Sequence, residues 1–372
     1  MSKMRTYPSG VLRYVLRTNL PSRLINFVRL ITSLLPKNFL LPIKIKLFLM
    51  PSHKALFTKS SNPSGGIYPE IDILIPFHPK DIALLTPCLA NLLQNSINPV
   101  GTIRVVTTNL GVPIVQRELK SLSGEFILQD ISLDVVSESD FLPTTVLEAC
   151  HSLGEGSGWL IKQSIFFWNS IKNPKNPTVV IDSDTLIIQK ILWLDEENKS
   201  NVFANFHEND LSDFFIEKFP DILRVEKDFG FVSHFVLVKP HVVLNFLLQV
   251  ERSRKFTEYA SDLSIDEKDL EVRLANVLRL LILECMFNFC DFDFYAKAAL
   301  KIEPEKTLIC KWSNLAINVQ DNLEDATLKK FLFKNRESFL SVSLHTFSLT
   351  FSGSARTQEI IESRNKIREA IK

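Results

Sequence analysis

Val179-Val180-Ile181-Asp182-Ser183-Asp184 begins with three consecutive β-branched residues and ends in two carboxylates. An apolar run without alternation predicts a strand buried on both faces, as strands of parallel sheets are. Side chains two apart in extended backbone point the same way, so the spacing predicts Asp182 and Asp184 on one side and Ser183 on the other. Two close carboxylates repel, and each raises the other's pKa unless a cation sits between them. Hard divalent ions such as Mg²⁺ and Mn²⁺ take oxygen ligands and keep positions for phosphate oxygens. Ligands of open α/β sheets bind at the carboxyl ends of the strands, where both aspartates fall. The motif is therefore expected to hold a metal–diphosphate. A second copy, Asp291-Phe292-Asp293, lies among Phe287, Phe289, Phe294 and Tyr295 and reads as partly buried structure.

Upstream of the motif, strands alternate with helices. Ile71-Asp72-Ile73-Leu74-Ile75-Pro76 predicts a first strand, and the turn His78-Pro79-Lys80-Asp81 offers Asp81 as a helix N-cap. Leu84, Leu85, Cys88, Leu89, Leu92 and Leu93 then recur at helical spacing. Strands are expected at Thr102–Thr107 and Leu133–Val136, with a helix between them near Val115–Leu122. A helix from Gly158 to about Ile171 delivers the chain to the Asp182 strand. Beyond it, 202–206 and 231–238 read as strands and 241–290 as mostly helical, with a charged helix over 355–372. This alternation predicts an α/β fold with a mainly parallel sheet.

The chain has 372 residues, 45% of them hydrophobic, enough for a full α/β domain with extensions. Its 11 glycines include no G-x-G-x-x-G and no G-x-x-x-x-G-K-[ST], which argues against a glycine-rich nucleotide loop. Five cysteines, odd in number and without C-x-x-C spacing, point to a reducing compartment and away from a zinc site.

Net charge is +1 but unevenly spread: eleven of the 43 Lys and Arg precede Glu70, the first acidic residue. The other 32 basic residues face all 42 acidic ones. The basic arm interleaves its charges with Leu, Ile, Val and Phe, as in Leu24–Ile31, a pattern suited to an anionic membrane surface rather than to nucleic acid. Asn38–Met50 is too short and too charged to span a bilayer, and Arg13 and Arg17 interrupt any early signal core. Ser60–Gly66 reads as a linker. The expected division is therefore a basic amphipathic arm over 1–66, a catalytic domain over 67–320 and a helical extension over 321–372. The expected location is cytoplasmic, peripheral on the cytoplasmic face of the membrane.

In order, Pro76-Phe77-His78-Pro79-Lys80-Asp81, Gly158-Trp159-Leu160-Ile161-Lys162-Gln163, Val180-Ile181-Asp182-Ser183-Asp184-Thr185 and Phe231-Val232-Ser233-His234-Phe235-Val236-Leu237 resemble the motif series of a poorly characterised bacterial group of GT-A-fold glycosyltransferases, over roughly residues 70 to 315. The resemblance implies a Rossmann-type GT-A fold and transfer of a sugar from a nucleotide-sugar donor to a glycan or lipid-linked acceptor. It further implies Mn²⁺ or Mg²⁺ held by Asp182 and Asp184. His78, Lys80, Gln163 and Ser183 are then expected on the donor side, while Trp159 reads as core packing. Glu284 is the leading base for an inverting reaction, with His207, Glu208 and Asp210 as the rival set. His234 reads equally as a hydrogen-bonded core histidine and as an acceptor contact. The group's Glu-rich "E-Y-E-x-Y-G-N" segment survives here only as Glu284 and Asn288, which leaves open a different acceptor or an inactive, membrane-docked binding protein. A haloacid-dehalogenase-like phosphatase wants Thr or Val where Leu186 stands, and a calcium loop wants Gly and Glu where Ile187 and Trp193 stand.

Overall fold

β1 (Ile71–Pro76) lies at the centre of a five-stranded sheet. It pairs in parallel with β2 (Val100–Thr107) on one side and with β4 (Thr178–Ile181) on the other. β3 (Ser132–Ser137) continues the parallel ladder from β2, and β7 (Phe235–Val238) closes the opposite edge antiparallel to β4. The order is β3-β2-β1-β4-β7. Every residue of β4 and β7 is buried, which is why these segments are apolar runs without alternation. The computed structural model describes residues 68–122, 131–154, 156–204, 219, 230–262, 269–286, 289–312, 314–318 and 340–345. The basic arm, His207, Glu208, Asp210 and the stretch 355–372 lie outside them.

Helices flank the sheet. α1 (Ile82–Asn95) and α2 (Val112–Leu122) follow β1 and β2, and α3 (Glu138–Phe141) and α4 (Thr144–Ser152) follow β3. The predicted apolar face of α1 is buried at Leu84, Leu85, Cys88, Leu89 and Leu92. Each such side chain contributes about 1.5–3 kcal/mol of transfer free energy. α5 (Ser157–Lys172) packs on β1 and runs back to the start of β4.

Behind α5 stand α6 (Pro240–Glu251), α7 (Arg254–Asp262), α8 (Leu270–Cys285) and α9 (Asp291–Ile302). Phenylalanines make that junction. Phe166 meets Phe292 and Tyr295 edge-on, and Phe167 stacks on Phe289 at 5.2 Å. Such pairs add about 0.5–1.5 kcal/mol to their burial. The second Asp-x-Asp is more than partly buried: Asp291 and Asp293 open α9 and neither is exposed. Asp293 accepts the Phe231 N–H at 2.9 Å and pairs with Lys297 at 2.9 Å.

Two small sheets were not legible in the sequence as sheets, although a strand of one of them falls at the expected 202–206. β5 (Thr185–Ile187) pairs antiparallel with β10 (Ser341–His345), which pairs in parallel with β9 (Asn314–Asn318); β6 (Ser200–Ala204) pairs in parallel with β8 (Thr307–Lys311). Within 321–372, expected to be a helical extension, only 340–345 is described, and there β10 returns a strand to the segment following the Asp182 turn. The expected strand at 231–238 forms only over its last four residues.

Candidate functional site

β4 ends at Ile181, and Asp182-Ser183-Asp184 is a turn rather than extended strand. The Thr185 N–H donates to the Asp182 carbonyl at 3.0 Å, while the Asp182 N–H donates to the His234 carbonyl at 2.9 Å. Strand alternation therefore does not govern these side chains. Asp182, Ser183 and Asp184 all line one cleft of about 630 Å³. Its floor is the carboxyl end of β4, and its walls come from the segments after β1 and β3, the first turns of α5, the approach to β7, and Phe292.

Asp182 is held from two sides. Lys162 Nζ lies 2.6 Å from its Oδ1, and His234 Nδ1 lies 3.0 Å from its Oδ2. Burial pushes the Asp182 carboxyl up, but the Lys162 ammonium and His234 outweigh it and hold it below the usual range. Asp184 goes the other way: burial and then the charge of Asp182 raise it. The Lys162 ammonium, penalised by burial, is nonetheless raised by Asp182 and Asp291 and stays charged.

Ligand atoms of Asp182, Asp184 and His234 lie within 4.8 Å of one another. Two carboxylates and an imidazole this close can share one divalent ion, and the repulsion that raises Asp184 is what a cation between the carboxylates relieves. The residues therefore fit a metal, with His234 as a ligand that sequence reasoning did not assign. Its signal was the strand pairing: β7 lies beside β4, so the residue preceding it falls next to the turn after β4. The His234 ring also lies 5.2 Å from that of Trp312.

The other expected site residues divide. His78 and Lys80 line the cleft. His78 Nδ1 accepts the Lys80 N–H at 3.2 Å, capping a short 3-10 turn, and burial with the Lys80 charge lowers its pKa. Ser183 donates to Asp81 Oδ2 at 3.3 Å. Asp81 occupies the expected N-cap position of α1 but makes no side-chain capping bond there.

Gln163 does not reach the cleft. It is 0% exposed, and its Oε1 accepts the Asp291 N–H. Glu284 is not among the cleft-lining residues either, and pairs with Lys255 at 2.5 Å. Trp159, expected in the core, is 37% exposed and lines the cleft. Among the charged residues lining the cleft, Lys162 and Glu138, whose carboxyl is raised by burial, were given no role in the sequence.

No protein-family model and no curated protein matches the sequence. Solved structures to which the chain aligns include glycosyltransferases. The apo structure of WbbM, a bifunctional glycosyltransferase, aligns at 13% identity and a TM-score of 0.40, over 85% of this chain and 53% of that one, so the chain spans about half of its length. LgtC, a galactosyltransferase solved with donor and acceptor sugar analogues, aligns at 11% identity and a TM-score of 0.34, over 80% of this chain and 100% of its own. The mannosyltransferase Ktr4p from S. cerevisiae aligns at 13% identity and a TM-score of 0.36, over 74% and 78%.

Proposed function

We propose that this chain is a metal-dependent glycosyltransferase that moves a sugar from a nucleotide-sugar donor to a glycan or lipid-linked acceptor. The observation that carries this reading is the Asp182–Asp184–His234 cluster at the carboxyl end of β4, opening into a cleft of about 630 Å³. The ordered motif resemblance across residues 70–315 supports it. A divalent cation held by Asp182, Asp184 and His234 would supply charge neutralisation for a departing diphosphate. Mn²⁺ suits the donor set better than Mg²⁺, because one of the three ligands is an imidazole nitrogen.

The chain's own residues divide the remaining work. Lys80 brings a positive charge to the rim after β1, within the same cleft as the carboxylates. Trp159 offers an exposed indole, a flat apolar surface of the kind that packs against sugar rings or bases. Glu138 is the cleft carboxylate outside both the metal cluster and the Ser183–Asp81 bond. Burial raises its pKa, which makes it a stronger base than a solvated carboxylate, so it replaces Glu284 as the candidate base for an acceptor hydroxyl. The basic arm would hold the protein at the cytoplasmic face of an anionic membrane. Among the described residues no helix is long and apolar enough to cross one.

Calorimetry with UDP and GDP, with and without Mn²⁺, tests the reading. Metal-dependent heat with one of them is expected; no metal-dependent heat with any nucleoside diphosphate overturns it. For the arm, the full chain is expected to sediment with anionic vesicles and a chain lacking residues 1–60 to stay in solution. Sedimentation of the shortened chain overturns the anchor.

A further inference from the structure

Lys162 stands between the two Asp-x-Asp motifs. Its ammonium is 2.6 Å from Asp182 Oδ1 in the first, and it lies 5.6 Å from the ring of Phe292, the central residue of the second. Asp291 is fully buried. Its Oδ1 accepts the Phe292 N–H at 2.7 Å, and its own N–H goes to the side chain of Gln163, the neighbour of Lys162 on α5. Asp291 Oδ2 is buried with no hydrogen-bond partner. Lys162 is the cation acting on that carboxylate.

A buried carboxylate oxygen without a donor is costly, and native proteins satisfy nearly all such atoms. The residue that carries it is tied through its backbone N–H to the helix that carries the site's lysine. A metal ion taking Asp182 would meet the Lys162 ammonium on the same carboxylate, and two cations there repel. The lysine stem is flexible enough to turn from one carboxylate to another.

We propose that Lys162 is a movable counter-ion shared by the two motifs: it neutralises Asp182 in the arrangement seen, and passes to Asp291 Oδ2 when a divalent cation takes Asp182. Asp291 thereby becomes a positioning residue for the metal site without touching the metal. The buried second motif acquires a role as the acceptor of the displaced ammonium. This inference rests on the metal-site reading above.

Mn²⁺ titration of the full-length protein at pH 8, with free Mn²⁺ followed by its EPR signal, tests it. Lys162→Met keeps the stem and removes the competing charge, so Mn²⁺ is expected to bind about tenfold more tightly. Asp291→Asn keeps the Oδ1 acceptor and removes the charged landing place, so binding is expected to weaken by about tenfold. In the double variant Lys162→Met/Asp291→Asn, the Asp291 substitution is expected to have no effect, because it acts through Lys162. A purely structural role for Asp291 would weaken binding equally in both backgrounds, and that result overturns the proposal.

Unchanged or weaker Mn²⁺ binding by Lys162→Met also overturns it. This arm decides alone if Asp291→Asn does not fold by circular dichroism. Wild type binding no Mn²⁺ overturns both this inference and the metal site. Wild type that binds Mn²⁺ and loses it on Asp184→Asn, with Lys162→Met and Asp291→Asn both unchanged, overturns this inference alone.

Discussion

At Asp184 burial and the neighbouring Asp182 charge act in the same direction, whereas at Asp182 burial is outweighed by Lys162 and His234. One pair of identical side chains, two residues apart, is thus split by its surroundings into a firmly ionised carboxylate and a strained one. Asp184→Asn removes the repulsion, so it is expected to leave the melting temperature unchanged or raised while abolishing Mn²⁺-dependent nucleotide heat in calorimetry. A falling melting temperature together with intact heat would show that Asp184 is structural. The same residue-level reading separates two glutamates. The Glu284–Lys255 pair is partly exposed on both sides, and such pairs contribute about 0–1 kcal/mol. Glu284→Gln is expected to keep turnover within about twofold. Glu138→Gln is expected to lower turnover by about 10²-fold while nucleotide binding persists, the size of effect that loss of a general base gives. Steady-state assays of both variants with the identified donor check the assignment, and a reversed order of severity would return the base to Glu284.

Among the elements, α5 bears most directly on the site, since its first turns carry Trp159 and Lys162 into the cleft and its body packs on β1. Its start is shaped by Gly156, which caps it at φ 94°, in the left-handed region, with no side-chain capping bond. A Cβ there costs about 1–2 kcal/mol, so Gly156→Ala is expected to lower stability by that amount in urea unfolding. Gly158 lies inside the helix, and a Cβ added to it meets nothing within 4 Å. Gly158→Ala is therefore expected to stabilise by about 0.4–1 kcal/mol, and equal losses from both substitutions would contradict the capping account. The sequence made α5 visible through its bounds, Gly158-Trp159 at the start and Asn173-Pro174 just past the end, and β1 to β4 through apolar runs bounded by turns. β5, β9 and β10 escaped because three to five residues of ordinary composition become a sheet only through pairing with distant segments, β10 with β5 across about 150 positions and with β9 across 27. The four-residue α3 and the helical α9 were hidden for related reasons. α3 is too short for periodicity, and α9 is aromatic and buried on nearly every side, which erases an amphipathic pattern.

Across the whole molecule, the site is a convergence that no single segment announces. Asp182 and Asp184 were legible because a strand end and a carboxylate pair are local features. His234 was read only as a core histidine or an acceptor contact, and Lys162 and Asp291 were given no role in the site, because the three reach the same place from the approach to β7, from α5 and from α9 only after folding. Their convergence buries several charges, and this has a consequence for stability. Burial pushes the Asp291 carboxyl up to about 7, with Lys162 opposing the rise. In the unfolded chain the same group titrates near ~3.9. Between these values the folded protein holds a proton that the unfolded chain has released. Stability from this group therefore falls as pH rises from about 4 to about 7, and the penalty is complete above that window. Asp184 acts in the same direction, whereas Asp182, held low, contributes stability that is lost as pH falls through its folded value. Asp291→Asn removes the penalty without removing the Oδ1 acceptor. Its melting temperature is expected to match wild type near pH 4 and to exceed it by several degrees more at pH 8 than at pH 5, since each kcal/mol is worth about 2–4 °C in a domain of 150–250 residues. Differential scanning fluorimetry at pH 5, 6, 7 and 8 reads this directly. A difference that stays constant across the four values, or that shrinks as pH rises, would mean that Asp291 is ionised at little cost in the folded protein.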